Sequence, residues 1–159
     1  MQEINFERLE PISYPLANRF YKQAHEKGKT QSSDEIHVAR TGQQIIAAVR
    51  LCPIRESKTL PDSSPSKLLL RSLAVLPEYR RTGIGTQFME YIADQIRPRE
   101  CWCYPFSWLQ VFYEQFGYHI VEPEDAPEFI RTPFDNYQRQ GRDILIMALD
   151  TLDKDQKST

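Results

Sequence analysis

The spacing of apolar residues predicts a strand, a helix and a loop at the start of the chain. Apolar and polar residues alternate in 4–9, which is typical of a strand, whereas the apolar positions in 16–24 recur at helical spacing. We expect this helix to begin after Ser13, a favoured N-cap residue, and to end at Gly28. The polar residues 29–34 predict a loop before the next apolar segment.

Three further strands are predicted in the middle of the chain. Ile36 and Val38 alternate with polar or small residues in 36–41, whereas apolar residues dominate 45–54 and 67–76. Each segment has the length of a strand rather than of a helix. Gly42 lies between the first two segments and predicts a hairpin turn there. Proline and serine are frequent in 55–66, which predicts a long loop before the third strand.

Two helices with a strand between them are predicted next. Apolar positions in 84–92 recur at helical spacing, and residues 100–104, which are apolar after Glu100, predict a strand. Residues 108–116 predict a short helix, with Ser107 as its N-cap and Gly117 as a left-handed C-cap.

The C-terminal part predicts two strands that enclose a helix. The strands are expected at 118–121 and 144–149. Pro127 is placed to begin the intervening helix, and we expect Pro133 to kink or split it because proline removes an internal hydrogen bond.

Composition limits the classes of function. A chain of 159 residues with 40% hydrophobic content can bury a core in one domain, which we place at 1–150, with a polar tail at 151–159. The net charge of −2 provides no basic field for nucleic acid and no polybasic membrane anchor. No apolar run has the length of a membrane span, and the first residues do not form a signal peptide. We therefore expect no nucleic-acid and no membrane partner.

The three cysteines favour a reducing, cytoplasmic setting, because an odd number cannot be used up by intrachain disulfides. Cys101 and Cys103 lie on one face of a predicted strand, where they are either half of a metal site or two small buried residues. No second pair of Cys or His accompanies them. We therefore favour burial and predict no metal.

The segment that follows the strand 67–76 carries the strongest chemical signal. Arg80 and Arg81 lead into Gly83 and Gly85, just before the predicted helix. Amides at a helix N-terminus bind anions, glycines let backbone approach a ligand, and arginines donate charge-assisted hydrogen bonds to phosphate. The alternative is an ordinary strand–helix junction with solvated arginines. The spacing matches neither a P-loop nor a dinucleotide fingerprint.

The pattern Arg80-x-x-Gly83-x-Gly85, with Val75 five residues upstream, resembles the acyl-CoA signature of the GNAT acetyltransferases. A second segment, Val111 to Tyr118 with Tyr113 four residues before Gly117, is similar to the closing motif of that family. The resemblance implies that the turn binds the CoA pyrophosphate, that the strand binds the pantetheine arm, and that Tyr113 protonates the departing thiolate. It implies this set of CoA-binding residues: Leu73, Ala74, Val75, Arg80, Arg81, Thr82, Gly83, Ile84, Gly85, Thr86 and Phe112.

The resemblance implies an α/β protein of one domain, with a central, mixed, mostly antiparallel twisted sheet of about six or seven strands flanked by helices. It also implies transfer of an acetyl group from acetyl-CoA to a primary amine by direct attack. The acceptor is expected to be a small-molecule or peptide amine, and the oligomeric state stays open between monomer and homodimer. The alternative is a CoA-binding sensor or interaction module without useful catalysis.

The sequence departs from the family at two places that concern the mechanism. Many members have a glutamate two or four residues before the position of Leu73, where this chain has Arg71 and Leu69. The usual general base is therefore missing. An asparagine often lies seven residues before the family's tyrosine, and here that residue is Phe106.

The walls of the acceptor site are expected at 14–34 and 122–141. An acidic turn in the second segment would suit a cationic amine, although a solvated turn is the commoner role of such a run. Its acidic residues are Glu122, Glu124, Asp125 and Glu128. Arg50, with Arg55 and Lys58, is expected to form a solvated rim or to hold an anionic part of the acceptor.

Overall fold

A seven-stranded sheet organises the residues that the computed structural model describes, which are 3–54 and 67–149. The strands are β1 (Ile4–Arg8), β2 (Glu35–Thr41), β3 (Gln44–Pro53), β4 (Lys67–Val75), β5 (Glu100–Cys103), β6 (Tyr118–Ile120) and β7 (Met147–Leu149). The helices are α1 (Tyr14–Gln23), α2 (Ile84–Ile96), α3 (Gln110–Glu114) and α4 (Glu128–Arg139). Short 3₁₀ turns lie at Pro11–Ser13, Pro77–Tyr79, Ser107–Leu109 and Pro123–Asp125.

The strand order is β1-β2-β3-β4-β5-β7-β6. β4 and β5 are parallel, and α2 forms the crossover between them. The other neighbouring pairs are antiparallel. The predicted α/β class and the mixed, mostly antiparallel sheet of six or seven strands are therefore confirmed.

Two clusters of buried side chains hold the helices against the sheet. The larger cluster contains the buried face of α2, where Ile84, Phe88 and Ile92 recur at helical spacing. The smaller cluster contains Ile130 and Phe134 of α4. Alternation along β5 separates the clusters, because Cys101 and Cys103 belong to the larger one and Trp102 to the smaller one. α4 therefore covers the opposite face of β5 from the two cysteines.

The first helix is shorter than predicted. α1 ends at Gln23, and His25 then adopts a left-handed conformation with φ of 59°, so the chain leaves the helix before Gly28. Ser13 precedes the helix as predicted, but its side chain makes no capping hydrogen bond. Gly28 serves a different purpose, because a Cβ there would lie 2.9 Å from ring atoms of Tyr21. The glycine permits the loop to pack against that ring.

The C-terminal elements also differ from the prediction. α4 continues through Pro133, because burial of Ile130 and Phe134 outweighs the one internal hydrogen bond that proline removes. The last strand is limited to Met147–Leu149, while Ile144 forms only an isolated bridge with Phe106.

Residues 55–66 and 151–159 lie outside the described part of the chain, so their assignment as loop and tail stays a prediction. The extent of the domain, 1–150, also stays a prediction. No helix within 3–54 or 67–149 is long and apolar enough to cross a membrane. The same residues contain no group of three or more His, Cys, Asp or Glu placed to hold a metal ion.

Candidate active site

The parallel pairing of β4 with β5 ends before β4 does, and we call the gap beside the unpaired end of β4 the cleft. The two strands pair from Lys67 and Glu100 as far as Leu70 and Cys103, and β4 then continues to Val75 without β5 beside it. The opposite edge of this final part of β4 remains paired with β3. One backbone edge of β4 therefore faces the cleft, and its polar groups can bind an extended ligand.

A bulge in β4 coincides with the start of this cleft. The pairing with β3 shifts register between Ala48 and Arg50, and Ser72 takes a left-handed φ of 56°. The buried hydroxyl of Tyr21 donates a hydrogen bond of 2.8 Å to the Ser72 carbonyl. Bulges bend strands and re-aim backbone groups, and this one lies just after the last residue of β4 that pairs with β5. The sequence contains no signal for it, since Ser72 is neither glycine nor asparagine.

The turn after β4 leaves the beginning of α2 open. Gly83 adopts φ of 86° as the N-cap residue, a conformation that glycine takes without strain. No described side chain caps the helix, so its first amides are available to an anion. Exposed Arg80 donates from Nε to the Val75 carbonyl at 3.0 Å, which ties the turn to the end of the strand and leaves its other N–H groups free to bind.

The second predicted motif lies against the first. A Cβ placed on Gly85 would be 3.9 Å from two atoms of the Phe112 ring, so α3 packs beside the first turn of α2. Gly117 adopts the predicted left-handed conformation, with φ of 94°, after α3. The structure thus brings Gly85 and Phe112 together at one end of the cleft.

Tyr113 lies on the face of β5 that carries the cysteines. Its ring makes edge-to-face contacts with Phe112 and Tyr118, with ring centroids 5.4 and 5.5 Å away. Burial, followed by the nearby Cys103 and Cys101 thiols, raises the pKa of Tyr113 above its ordinary value. The phenol therefore keeps its proton throughout the neutral range, where it can donate a proton but cannot act as a base.

Arg71 and Tyr137 lie on the other face. The exposed Arg71 guanidinium donates from Nη2 to the Tyr137 hydroxyl at 3.1 Å. The Tyr137 ring contacts Tyr104 edge to face, with centroids 5.7 Å apart, in the side-chain cluster that contains Trp102. Alternation along β5 puts Tyr104 opposite the face of Cys103. The cleft is therefore flanked by Tyr113 on one face and by Arg71 on the other.

α4 runs beside β4, so its two ends reach different parts of that strand. At the start of β4, the Nζ atom of Lys67 lies 5.1 Å from the Phe129 ring centroid near the beginning of α4. Further along β4, Arg71 donates a hydrogen bond to Tyr137 near the end of α4. The acidic turn precedes α4, and at about 1.5 Å per residue Glu128 lies about 13 Å along the helix axis from Tyr137. Its four carboxylate residues are exposed: Glu122, Glu124, Asp125 and Glu128.

The loop after α1 is fixed to the sheet by a buried ion pair. Arg50 on β3 donates from Nε to Asp34 Oδ2 at 2.8 Å, and both residues are buried. The same carboxylate oxygen accepts the Gln31 amide, and the Tyr14 hydroxyl donates to the Asp34 carbonyl. The prediction that Arg50 forms a solvated rim or holds the acceptor is therefore wrong, because its charge is matched inside the protein. Arg55 and Lys58 lie outside the described residues.

Two smaller predictions have different outcomes. Ser107 is not a helix cap; it lies within a 3₁₀ turn, and its hydroxyl donates to the Asp143 carboxylate at 2.7 Å. Cys101 and Cys103 are buried, as predicted. Burial raises the pKa of the Cys101 thiol to about 12, so it stays protonated at neutral pH.

The comparisons with known proteins agree with this geometry. The family model described as the acetyltransferase (GNAT) domain matches residues 32–120, more than half of the chain. No curated protein gives a significant match. Among solved structures, the ribosomal-protein-S18-alanine N-acetyltransferase of Escherichia coli has a TM-score of 0.63 at 17% identity. The match covers 92% of this chain and 93% of the Escherichia coli chain.

Two other solved structures have the same fold and were determined with CoA or a CoA analogue. N-acetylglutamate synthase from Neisseria gonorrhoeae, complexed with coenzyme A and L-arginine, has a TM-score of 0.61 at 13% identity, covering 94% of this chain and 33% of its own. An Arabidopsis thaliana protein in complex with the bisubstrate analogue CoA-Ac-MVNAL has a TM-score of 0.63 at 11% identity, covering 92% of this chain and 98% of its own. At these identities the likeness shows the fold. Together with the family match, it establishes that the chain belongs to the GNAT family and is an acetyltransferase.

Proposed function

We propose that the protein transfers the acetyl group of acetyl-CoA to a primary amine within the cleft between β4 and β5. The observation that carries this proposal is the position of the cleft between Tyr113 on one face and Arg71 on the other. A thioester between them is accessible to a proton donor on one side and to an acceptor on the opposite side. When bound, acetyl-CoA supplies the activated acetyl group.

The residues around the cleft fit an acyl-CoA. The uncapped amides of α2, with Thr86 in its first turn and with Arg80 and Arg81 beside it, supply donors for the pyrophosphate. The free edge of β4 at Leu73, Ala74 and Val75 supplies donors and acceptors for the amides of the pantetheine arm. These assignments extend to the rest of the turn and to α3: Thr82, Gly83, Ile84, Gly85 and Phe112.

In this mechanism the β4 backbone polarises the acetyl carbonyl and Tyr113 donates a proton. The acceptor nitrogen forms a bond to the carbonyl carbon as the carbon–sulfur bond breaks. The Tyr113 hydroxyl proton passes to the departing sulfur, the excess proton of the nitrogen passes to solvent, and the Tyr113 phenolate regains a proton from solvent. We assign the nitrogen's proton to water because Leu69 and Arg71 replace the usual glutamates.

The acceptor belongs on the face that carries Arg71 and α4, with the α1 loop held in place by the pair between Asp34 and Arg50. Its chemical class is a small-molecule or peptide amine. We place the protein in the cytoplasm, which is supported by its three unpaired cysteines.

Release of free thiol from acetyl-CoA in the presence of a panel of amines tests transfer directly. CoA alone should raise the melting temperature of the protein, because it binds the native state. Arg80→Glu and Arg81→Glu should each reduce that shift, whereas the exposed Arg97 at the far end of α2 provides a matched control, Arg97→Glu. If CoA fails to stabilise the parent protein, the proposal is wrong.

A second function is favoured by one specific observation, the absence of a carboxylate at Leu69 and Arg71. A CoA-binding sensor or interaction module would show the rise in melting temperature without thiol release from any amine. Thiol release that depends on an amine would exclude it.

A further inference from the structure

Arg71 is a positive group close to the proposed site of reaction. It precedes Leu73 by two residues, so at about 3.3 Å per residue the two Cα atoms lie within about 7 Å of each other. Its side chain is exposed on the face opposite Tyr113. The guanidinium therefore lies on the side from which the proposed acceptor approaches.

The positive charge of Arg71 has no described carboxylate partner, unlike the charge of its cross-strand neighbour Arg50. Arg50 faces Arg71 across β3 and β4, and Asp34 neutralises Arg50 at 2.8 Å. Among the residues that the structure describes, no carboxylate lies within ion-pair distance of Arg71, and its guanidinium donates to the Tyr137 hydroxyl. Arg142, with its guanidinium carbon 4.7 Å from the Tyr137 ring centroid, adds a second positive charge nearby.

This surface is chemically suited to a carboxylate. Arginine presents paired N–H donors that match the two oxygens of a carboxylate. The Tyr137 hydroxyl accepts from Arg71 and keeps its own proton for donation to the same anion. The acidic turn that would attract a cationic acceptor lies near the other end of α4.

We infer that the acceptor is an amine that also carries a carboxylate, as an amino acid does, and that Arg71 and Tyr137 bind that carboxylate. This inference rests on the proposed acetyl transfer and adds the class of acceptor to it. Binding of the carboxylate fixes the amine near Leu73, where the acetyl carbonyl is polarised. The same surface disfavours polyamines and other acceptors with more than one positive charge.

The test uses thiol release from acetyl-CoA with each of the twenty L-amino acids and with its α-carboxamide. The two members of a pair present the same amine and differ in the carboxylate. We expect kcat/KM for at least one amino acid to exceed that for its carboxamide about 10-fold or more. The difference should arise chiefly from a lower KM, because a charge-assisted hydrogen bond to the carboxylate strengthens binding by about this factor. Arg71→Met should abolish this preference, Arg71→Lys should retain part of it, and Arg97→Met should leave it unchanged.

Each result supports or overturns the inference. Equal use of amino acids and carboxamides, release confined to carboxamides, no release with any amino acid, or a preference that survives in Arg71→Met would overturn it. The rise in melting temperature with CoA separates the two levels of the proposal. Absence of that rise in the parent protein, or a rise without thiol release from any amine of the panel, refutes the proposed function. A rise with thiol release from at least one amine, together with any of those four results, refutes the inference about the acceptor alone.

Discussion

The Phe112 ring packs beside Gly85, 3.9 Å from the position that a Cβ would occupy. This contact joins α3 to the first turn of α2 and so brings together the two segments to which we assign acetyl-CoA binding and proton donation. A Cβ at position 85 would make ordinary van der Waals contact with the ring. The neighbouring residue, Tyr113, lies on the face of β5 that carries Cys101 and Cys103.

Tyr113→Phe tests the proton donor with little change in packing. The substitution keeps the ring and its contacts with Phe112 and Tyr118, and removes the hydroxyl. If the phenol protonates the thiolate, kcat should fall about 100-fold while the affinity for CoA changes little. Steady-state kinetics and a CoA titration measure the two quantities.

Loss of thermal stability with kcat preserved would instead show that the hydroxyl has a structural role. If neither kcat nor stability changes, Tyr113 takes no part in the reaction and water protonates the thiolate.

The buried pair of Asp34 and Arg50 should dominate the stability of the α1 loop. Asp34→Ala leaves the buried guanidinium without its partner, and we expect a loss of about 3–5 kcal/mol in the free energy of unfolding. The double variant Asp34→Ala with Arg50→Met removes both charges and should lose less. Urea denaturation of the two variants measures the difference, and a double variant less stable than Asp34→Ala would contradict this account.

Glu35 should make stability depend on pH in the acidic range. Burial alone would raise its pKa, but His37, Arg99 and Arg8 outweigh burial and lower the pKa to about 2. Because the unfolded value is higher, near 4.5, the carboxylate stabilises the fold above that pH and the stabilisation is lost as pH falls toward 2. The free energy of unfolding should therefore fall less steeply between pH 5 and 2 in Glu35→Gln than in the parent, and Glu90→Gln serves as an exposed control.

Local sequence patterns were sufficient for most of the fold and for the two segments that the structure brings together at Gly85 and Phe112. Periodicity located the strands and helices. Gly83 and Gly117 both adopt left-handed conformations, Gly83 immediately before α2 and Gly117 between α3 and β6. These features depend on neighbours in the chain, so a single sequence contains them.

Features that depend on distant contacts could not be predicted. The pairing of Arg50 with Asp34 and the bond from Tyr21 to Ser72 join residues that only the folded chain brings together. The continuity of α4 through Pro133 likewise reflects burial against the sheet, which overrides the local preference.

A comparison of two glycines tests the central claim that acetyl-CoA binds at the beginning of α2. Gly83 and Gly42 both have positive φ, 86° and 60°, and a Cβ on either would meet nothing within 4 Å. Gly83→Val and Gly42→Val should therefore lose similar stability, about 1–2 kcal/mol. Calorimetric titration with acetyl-CoA should show binding to the parent and to Gly42→Val, and none to Gly83→Val, whose side chain would occupy the space beside the free amides. Equal affinity of the two variants for acetyl-CoA would contradict the account.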